Sequence, residues 1–168
     1  MKKVFLAVAL LGVVACNNNK IAYVDNVKLM DEFDEKIELE AKFTAQMEVF
    51  GAKRDSISQA FQQEAQAFQQ QADKMNTAKA QEMYAVLQQK GQAIGQQLQQ
   101  EEQAIQQASQ TEMDAVVEKV KAAINAYGEA NGYTFILGGG EGGSVLYGAP
   151  ANNVTEAIVT ELNKEAKE

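Results

Sequence analysis

The sequence predicts an α+β fold, mostly α: a small β-body from N- and C-terminal strands with a long projecting antiparallel helical hairpin. Three observations predict it. β-rich runs stand near the two ends of the chain, at Ile21–Asp25 and after Gly132. Between them, from Phe43 to Tyr127, apolar side chains recur at helical spacing. That long pattern has one good turn signal near its middle, Asp73-Lys74-Met75-Asn76-Thr77. Two helices of about 30 or more residues extend about 45 Å or more at 1.5 Å per residue. So thin a pair cannot enclose a globular core. It should project, and its turn brings the end strands back together into one sheet.

The first residues read as a targeting segment. Lys2 and Lys3 precede an apolar run, Val4–Val14, that is too short to span a bilayer. The run ends in Val13-Val14-Ala15-Cys16, and a small residue before a cysteine at this point resembles the bacterial lipobox. In that class of signals the peptide is cut before the cysteine, which is then acylated. The resemblance implies a lipoprotein signal peptide over 1–15, a lipidated tether over 16–20 and a folded domain over 21–168. Within the domain, the body covers 21–42 and 114–168 and the helical arm 43–113. Cys16 is the only cysteine, so no intramolecular disulfide is expected. No later stretch approaches the length of a membrane span, so the protein is expected to sit on a membrane through Cys16, periplasmic, with the outer membrane favoured.

Composition removes several function classes. There is no histidine, hence no Ser-His or Cys-His pair and no imidazole ligand for a metal. No cofactor or metal is expected. Lys and Arg number 15 against 23 Asp and Glu, a net charge of −8. Without Lys2 and Lys3 the basic count falls to 13 and the net to −10. An acidic chain lacks the basic patch that nucleic acid requires.

The elements follow in order. Ile21–Asp25 is a strand, and Asp25 or Asn26 caps a helix beginning near Val27. Leu29, Met30 and Phe33 give that helix an apolar side, and Asp34 offers a second cap, so a break is expected at Phe33–Asp34. Phe43, Phe50 and Ile57 then fall seven apart, with Met47, Phe61, Phe68 and Met75 on companion positions. This predicts heptads, interrupted by Arg54, Glu64 and Gln71. Asn76 or Thr77 caps the second arm helix. Its seam runs through Met83, Val86, Leu87, Ile94, Leu98 and Ile105, and continues with a stutter-like shift of phase through Met113, Val116, Val117, Val120, Ile124 and Tyr127. Gly91 and Gly95 lie inside it and weaken it by up to about 1 kcal/mol each relative to Ala. The glutamines crowding residues 59–110 read as a solvated helical face. Gly128 is the expected helix stop. Strands at Tyr133–Leu137 and Ser144–Tyr147 follow, then Pro150. Asn153, with Glu156 three residues on, resembles a capping box for a terminal helix bearing Val154, Ile158 and Leu162.

Gly138, Gly140 and Gly143 spell a literal G-x-G-x-x-G. Dinucleotide binding requires a helix to open from that loop inside a βαβ unit, whereas Ser144–Tyr147 reads as a strand. A hairpin loop is the expectation.

This order of elements, with "KIAYVDNVKLMDEF" at the start and "YTFILGGG…SVLYGAPANNVTEAIVTELN" at the end, resembles the Skp/OmpH family of periplasmic chaperones over roughly residues 20–168. The resemblance implies a homotrimer whose pooled strands form the body, from which three hairpins hang around a cavity that holds unfolded outer-membrane proteins without ATP. It places Ile21, Tyr23, Val24, Phe135, Leu137, Val145 and Tyr147 in the oligomer body. Client contact is expected at Phe50, Ile57, Phe61, Phe68, Met75, Met83 and Leu98, flexible or aromatic side chains that can repack around varied partners. The best-known members are soluble after signal removal and strongly basic. This chain carries a lipobox, and its arm holds Lys53, Arg54, Lys74, Lys79 and Lys90 against eight acidic side chains.

The expected function is an ATP-independent holdase for unfolded envelope proteins. The alternative is a membrane-anchored coiled-coil scaffold or spacer lipoprotein, which explains the heptads and the anchor but not the strands. An enzyme is not expected: Glu101-Glu102 are adjacent on an exposed helix, and no Ser-x-x-Lys occurs.

Overall fold

A computed structural model describes residues 19–141 and 143–165. The elements are β1 (Ile21–Asp25), α1 (Asn26–Glu32), α2 (Asp34–Ala72), α3 (Thr77–Ala130), β2 (Phe135–Gly139), a 3-10 turn (Pro150–Asn152) and α4 (Thr155–Glu165). The expected signal segment, residues 1–15, and Cys16 lie outside the described residues.

β1 and β2 pair in parallel, Ile21 against Phe135 through Asp25 against Gly139. Parallel pairing needs a crossover, and here the whole helical hairpin serves as one. The sheet has two strands. Ser144–Tyr147 does not form the expected third. β2 begins two residues later than the sequence suggests and so takes up Gly138 and Gly139, which a hairpin turn would have used. The chain then turns at Gly140 (φ +84°), with the Gly143 amide donating to the Gly140 carbonyl. Val145 meets β2 in a single bridge, its amide donating to the Gly138 carbonyl at 3.2 Å, and Asn153 meets β1 in another, beside Tyr23.

Asp25 caps α1, its carboxylate accepting from the Val27 and Lys28 amides. The break falls at Phe33, whose backbone is extended and whose side chain is fully buried. Asn163 of α4 holds this break from outside. Its amide nitrogen donates to the Glu32 carbonyl, and its oxygen accepts from the Asp34 amide, each at 2.9 Å. That single side chain serves both the last turn of α1 and the first turn of α2, where the sequence suggests Asp34 as the cap.

At the other end of the hairpin Asn76 caps α3, accepting from the Lys79 amide. Gly128 does not stop the helix. It lies beneath the Ile136 side chain, and α3 runs on to Ala130. The stop is Gly132 (φ +68°), where the Tyr133 amide reaches the Gly128 carbonyl and the Gly132 amide the Glu129 carbonyl. This is a Schellman ending, which requires a left-handed residue.

The core joins both ends of the chain. Ala22, Val24, Leu29, Phe33, Leu39, Phe43, Val116, Val120, Val154, Ile158, Val159 and Leu162 form one cluster. Burying each larger member stabilises by about 1.5–3 kcal/mol. Thr155, buried as well, accepts from the Asp25 amide and donates to the Asn153 oxygen. Asn153 accepts from the Thr155 amide rather than building a capping box, because Glu156 turns to Lys28 instead.

The arm departs from heptads. Its buried or half-buried positions on α2 include Leu39, Phe50, Phe61 and Ala72, and on α3 Leu87, Leu98, Ser109 and Val120. Both sets step by eleven, the repeat of a helix with about 3.67 residues per turn, which favours a right-handed supercoil instead of a left-handed one. Glu64 and Gln71, which interrupt a heptad seam, fall outside this one. Ala65 and Ala72 take the seam positions. Ion pairs flank it: Glu35–Lys119, Lys42–Glu112, Lys53–Glu101 and Glu64–Lys90. Partners advance by 7, 11 and 11 residues on α2 and recede by the same steps on α3. Each exposed pair contributes only about 0–1 kcal/mol, but a slip of register would break all of them.

Candidate functional site

Two surfaces remain uncovered, one on the arm and one on the body. On the arm, Phe50 is 3% exposed and packs in the seam. It belongs to the seam of its own hairpin and adds little exposed surface. Ile57, Phe61, Phe68, Met75 and Leu98 are half-buried along the same seam, and Met83 is open to solvent. The Phe61 ring lies against Gly91, where an added Cβ would meet its Cζ at 2.9 Å. Gly91 therefore makes room for the ring.

Near the tip, Ala67, Phe68, Met83, Val86 and Leu87 line a groove of about 400 Å³. Glu64, Gln71, Lys79 and Glu82 form its rim. Nearer the body, Ala45, Val49, Phe50 and Ile105 line a second groove, of about 460 Å³. The sequence reading puts Met47 and Val86 in the seam. Both are exposed, because a heptad frame mistakes their direction on an 11-residue repeat. It omits Val49 and Tyr84, exposed at 70% and 61%. Their signal is present in the sequence as apolar residues off the buried period. Every glutamine from Gln59 to Gln110 is exposed, as a solvated face requires.

On the body, alternation along the strands sorts the side chains. Ala22 and Val24 turn inward, so Val24 belongs to the chain's own core and not to an outer face. Ile21, Phe135 and Leu137 turn outward, exposed at 45%, 58% and 42%. Tyr147 and Leu146 stand out further, and Val145 is half-buried. The sequence reading does not single out Leu146, because a strand at 144–147 would have hidden one side. Tyr23 is half-buried, its hydroxyl donating to the Gly148 carbonyl.

Electrostatics tie the body together. Lys28 donates to Glu156 at 2.9 Å, joining α1 to α4. That hydrogen bond, with the attraction between the charges, raises the Lys28 ammonium above its ordinary value and lowers the Glu156 carboxyl. Burial pushes the Tyr127 phenol up, helped by Tyr133 and Glu161. At the glycine stretch no helix opens after Gly143, and the next helical turn is Pro150–Asn152. A pyrophosphate would therefore meet no helix N-terminus there. No described helix is long and apolar enough to cross a membrane.

Comparison with known proteins agrees with this geometry. No curated protein sequence matches the chain. Among solved structures, the fold is similar to that of a proposed outer membrane chaperone (OmpH-like) from Caulobacter crescentus CB15. That match has a TM-score of 0.78 at 17% identity, covering 87% of this chain and 85% of the other. The profile of the outer membrane protein (OmpH-like) family matches residues 20–162, which include both strands, the whole hairpin and most of α4. The chain belongs to the OmpH-like family.

Proposed function

We propose that the protein is an ATP-independent holdase of the cell envelope, binding unfolded outer-membrane or envelope proteins along its arm. It is neither an enzyme nor dependent on a cofactor. The observation that carries this reading is the uncovered apolar surface of the arm. A two-helix hairpin has no interior beyond its seam, yet Val49, Met83, Tyr84 and Val86 point away from that seam into solvent. Such side chains, set among exposed glutamines, suit weak contact with many apolar segments.

Oligomerisation supplies the enclosure. A two-stranded sheet is marginal by itself. Ile21, Phe135, Leu137, Leu146 and Tyr147 give this one an apolar outer face, which a homotrimer would bury. Tyr23 and Val145 flank that face, and Val24 supports it from within. Client contact then falls to Ile57, Phe61, Phe68, Met75, Met83 and Leu98 where the seam opens, together with Val49, Tyr84 and Val86. Phe50 acts as seam packing. The protein is periplasmic and held on a membrane, the outer membrane in preference, by acylation of Cys16.

The competing reading, an anchored scaffold or spacer, draws on the matched ion pairs that keep the hairpin in register. Shortening the arm separates the two. A soluble form starting at Lys20 and lacking residues 60–95 should keep its oligomeric state. It should fail to suppress light scattering when a urea-unfolded outer-membrane β-barrel protein is diluted without ATP. Full suppression by the shortened form would remove the holdase site from residues 60–95.

A further inference from the structure

We infer that the protein stands on its membrane by the closed pole of the body, with the hairpin directed away from the bilayer. This rests on the acylation of Cys16 proposed above, and on what holds Lys20, four positions further on. The Lys20 carbonyl accepts from the Thr134 amide at 2.8 Å. The Lys20 ammonium donates to the Asn131 carbonyl at 2.9 Å and lies 4.0 Å above the centre of the Tyr133 ring. Asn131, Tyr133 and Thr134 immediately follow α3. Lys20, just before β1, is thus fastened to the end of α3 that lies farthest from the arm's tip.

Two lengths then decide the geometry. Three residues lie between Cys16 and Lys20, and the four steps of chain, at 3.3–3.6 Å each, reach about 14 Å at most. From Thr77 at the tip to Ala130, α3 is a single uninterrupted helix of 54 residues. It rises about 80 Å. An acyl anchor at Cys16 therefore holds the Lys20–Tyr133 pole against the headgroups and leaves the tip about 80 Å along the helix from them. Charge opposes the alternative, an arm lying flat. Residues 43–113 carry five basic side chains against eight acidic ones, so anionic headgroups repel the arm. At the pole, by contrast, a lysine and a tyrosine sit together, residue types that suit a membrane–water interface.

The consequence concerns where clients are met. The groove lined by Phe68 and Met83 lies close to the tip, far outside the reach of the anchoring bilayer. The protein would intercept unfolded chains in the aqueous space in front of its membrane. It would not extract segments still embedded in the bilayer that holds it.

The test uses the full-length acylated protein in vesicles of phosphatidylethanolamine and phosphatidylglycerol. A second cysteine is placed at the tip (Lys74→Cys) or near the pole (Ala130→Cys) and labelled with a fluorescent donor. Acceptor dyes are carried on lipid headgroups. The expected result is flotation of both proteins with the vesicles, loss of most donor emission from position 130, and little loss from position 74. Flotation with equal quenching at the two positions would overturn the orientation and leave the anchor standing. Failure of both proteins to float would overturn the anchor, and the orientation with it.

Discussion

Gly91 and Gly95 are four residues apart on α3, both inside the arm, and the structure gives them opposite roles. An added Cβ at Gly95 meets nothing within 4 Å. Gly95→Ala should therefore stabilise by the helix-propensity difference, about 0.8–1 kcal/mol. At Gly91 the same methyl stands 2.9 Å from Phe61 Cζ and 3.4 Å from Cε1. The gain in propensity is the same, but overpacking of this kind costs about 1–3 kcal/mol, the lower figure applying if the ring tilts away. Gly91→Ala should thus range from neutral to destabilising by about 2 kcal/mol, leaving the two variants about 1–3 kcal/mol apart. Urea unfolding followed by circular dichroism measures this directly, at one fixed protein concentration because assembly shifts apparent stability. Adding Phe61→Leu should restore Gly91→Ala towards the Gly95→Ala value. Equal stabilisation by the two alanines would refute the packing of Phe61 on Gly91, and with it the register assigned to the hairpin.

Three further outcomes follow from the body. Asn163→Ala removes hydrogen bonds to both the Glu32 carbonyl and the Asp34 amide, so it should destabilise by about 1–3 kcal/mol and raise amide exchange at Asp34. Glu156→Gln tests the ion pair with Lys28. The carboxyl is lowered in the folded state, so its contribution is present above the ordinary carboxylate range and lost as pH falls through the lowered value. Wild type and variant should differ slightly at neutral pH, less in high salt, and converge once the pH has fallen below the lowered value of the folded carboxyl. A wild-type advantage that grows in acid would contradict the sign. Phe135→Asp places a charge on the outer face of the sheet and should convert the proposed homotrimer to monomers, read by light scattering coupled to size exclusion, with helix content retained.

The sequence made local features legible and left tertiary ones hidden. Ile21–Asp25 forms the expected strand, and Asp25 and Asn76 cap as expected, because each signal is complete within a few residues. The break at Phe33 was readable for the same reason. The side chain that holds it, Asn163, is distant in sequence, and no local pattern announces it. The arm's period was misread because heptads and an 11-residue repeat share their first steps of four and seven. Only Glu64 and Gln71, interruptions in one frame and outside the other, distinguish them. Ser144–Tyr147 has the composition of a strand, but β-propensity reflects fit to a neighbouring surface, and β2 had already taken the glycines that would have turned the chain. The outer face at Ile21, Phe135 and Leu137 could be anticipated from alternation. The exposure of Leu146 could not, because it depends on a strand that does not form.

The central claim is that unfolded clients lie on the arm's uncovered apolar side chains. The most direct measurement places a photo-crosslinking amino acid at Val86, beside the tip groove, and in a second protein at the exposed body residue Lys121. Each is mixed with a urea-unfolded outer-membrane β-barrel protein at the moment of dilution and irradiated. The account predicts crosslinks to the client from position 86, none above background from position 121, and none from either once the client has folded. Equal crosslinking at the two positions, or none from position 86 while aggregation is suppressed, would contradict it.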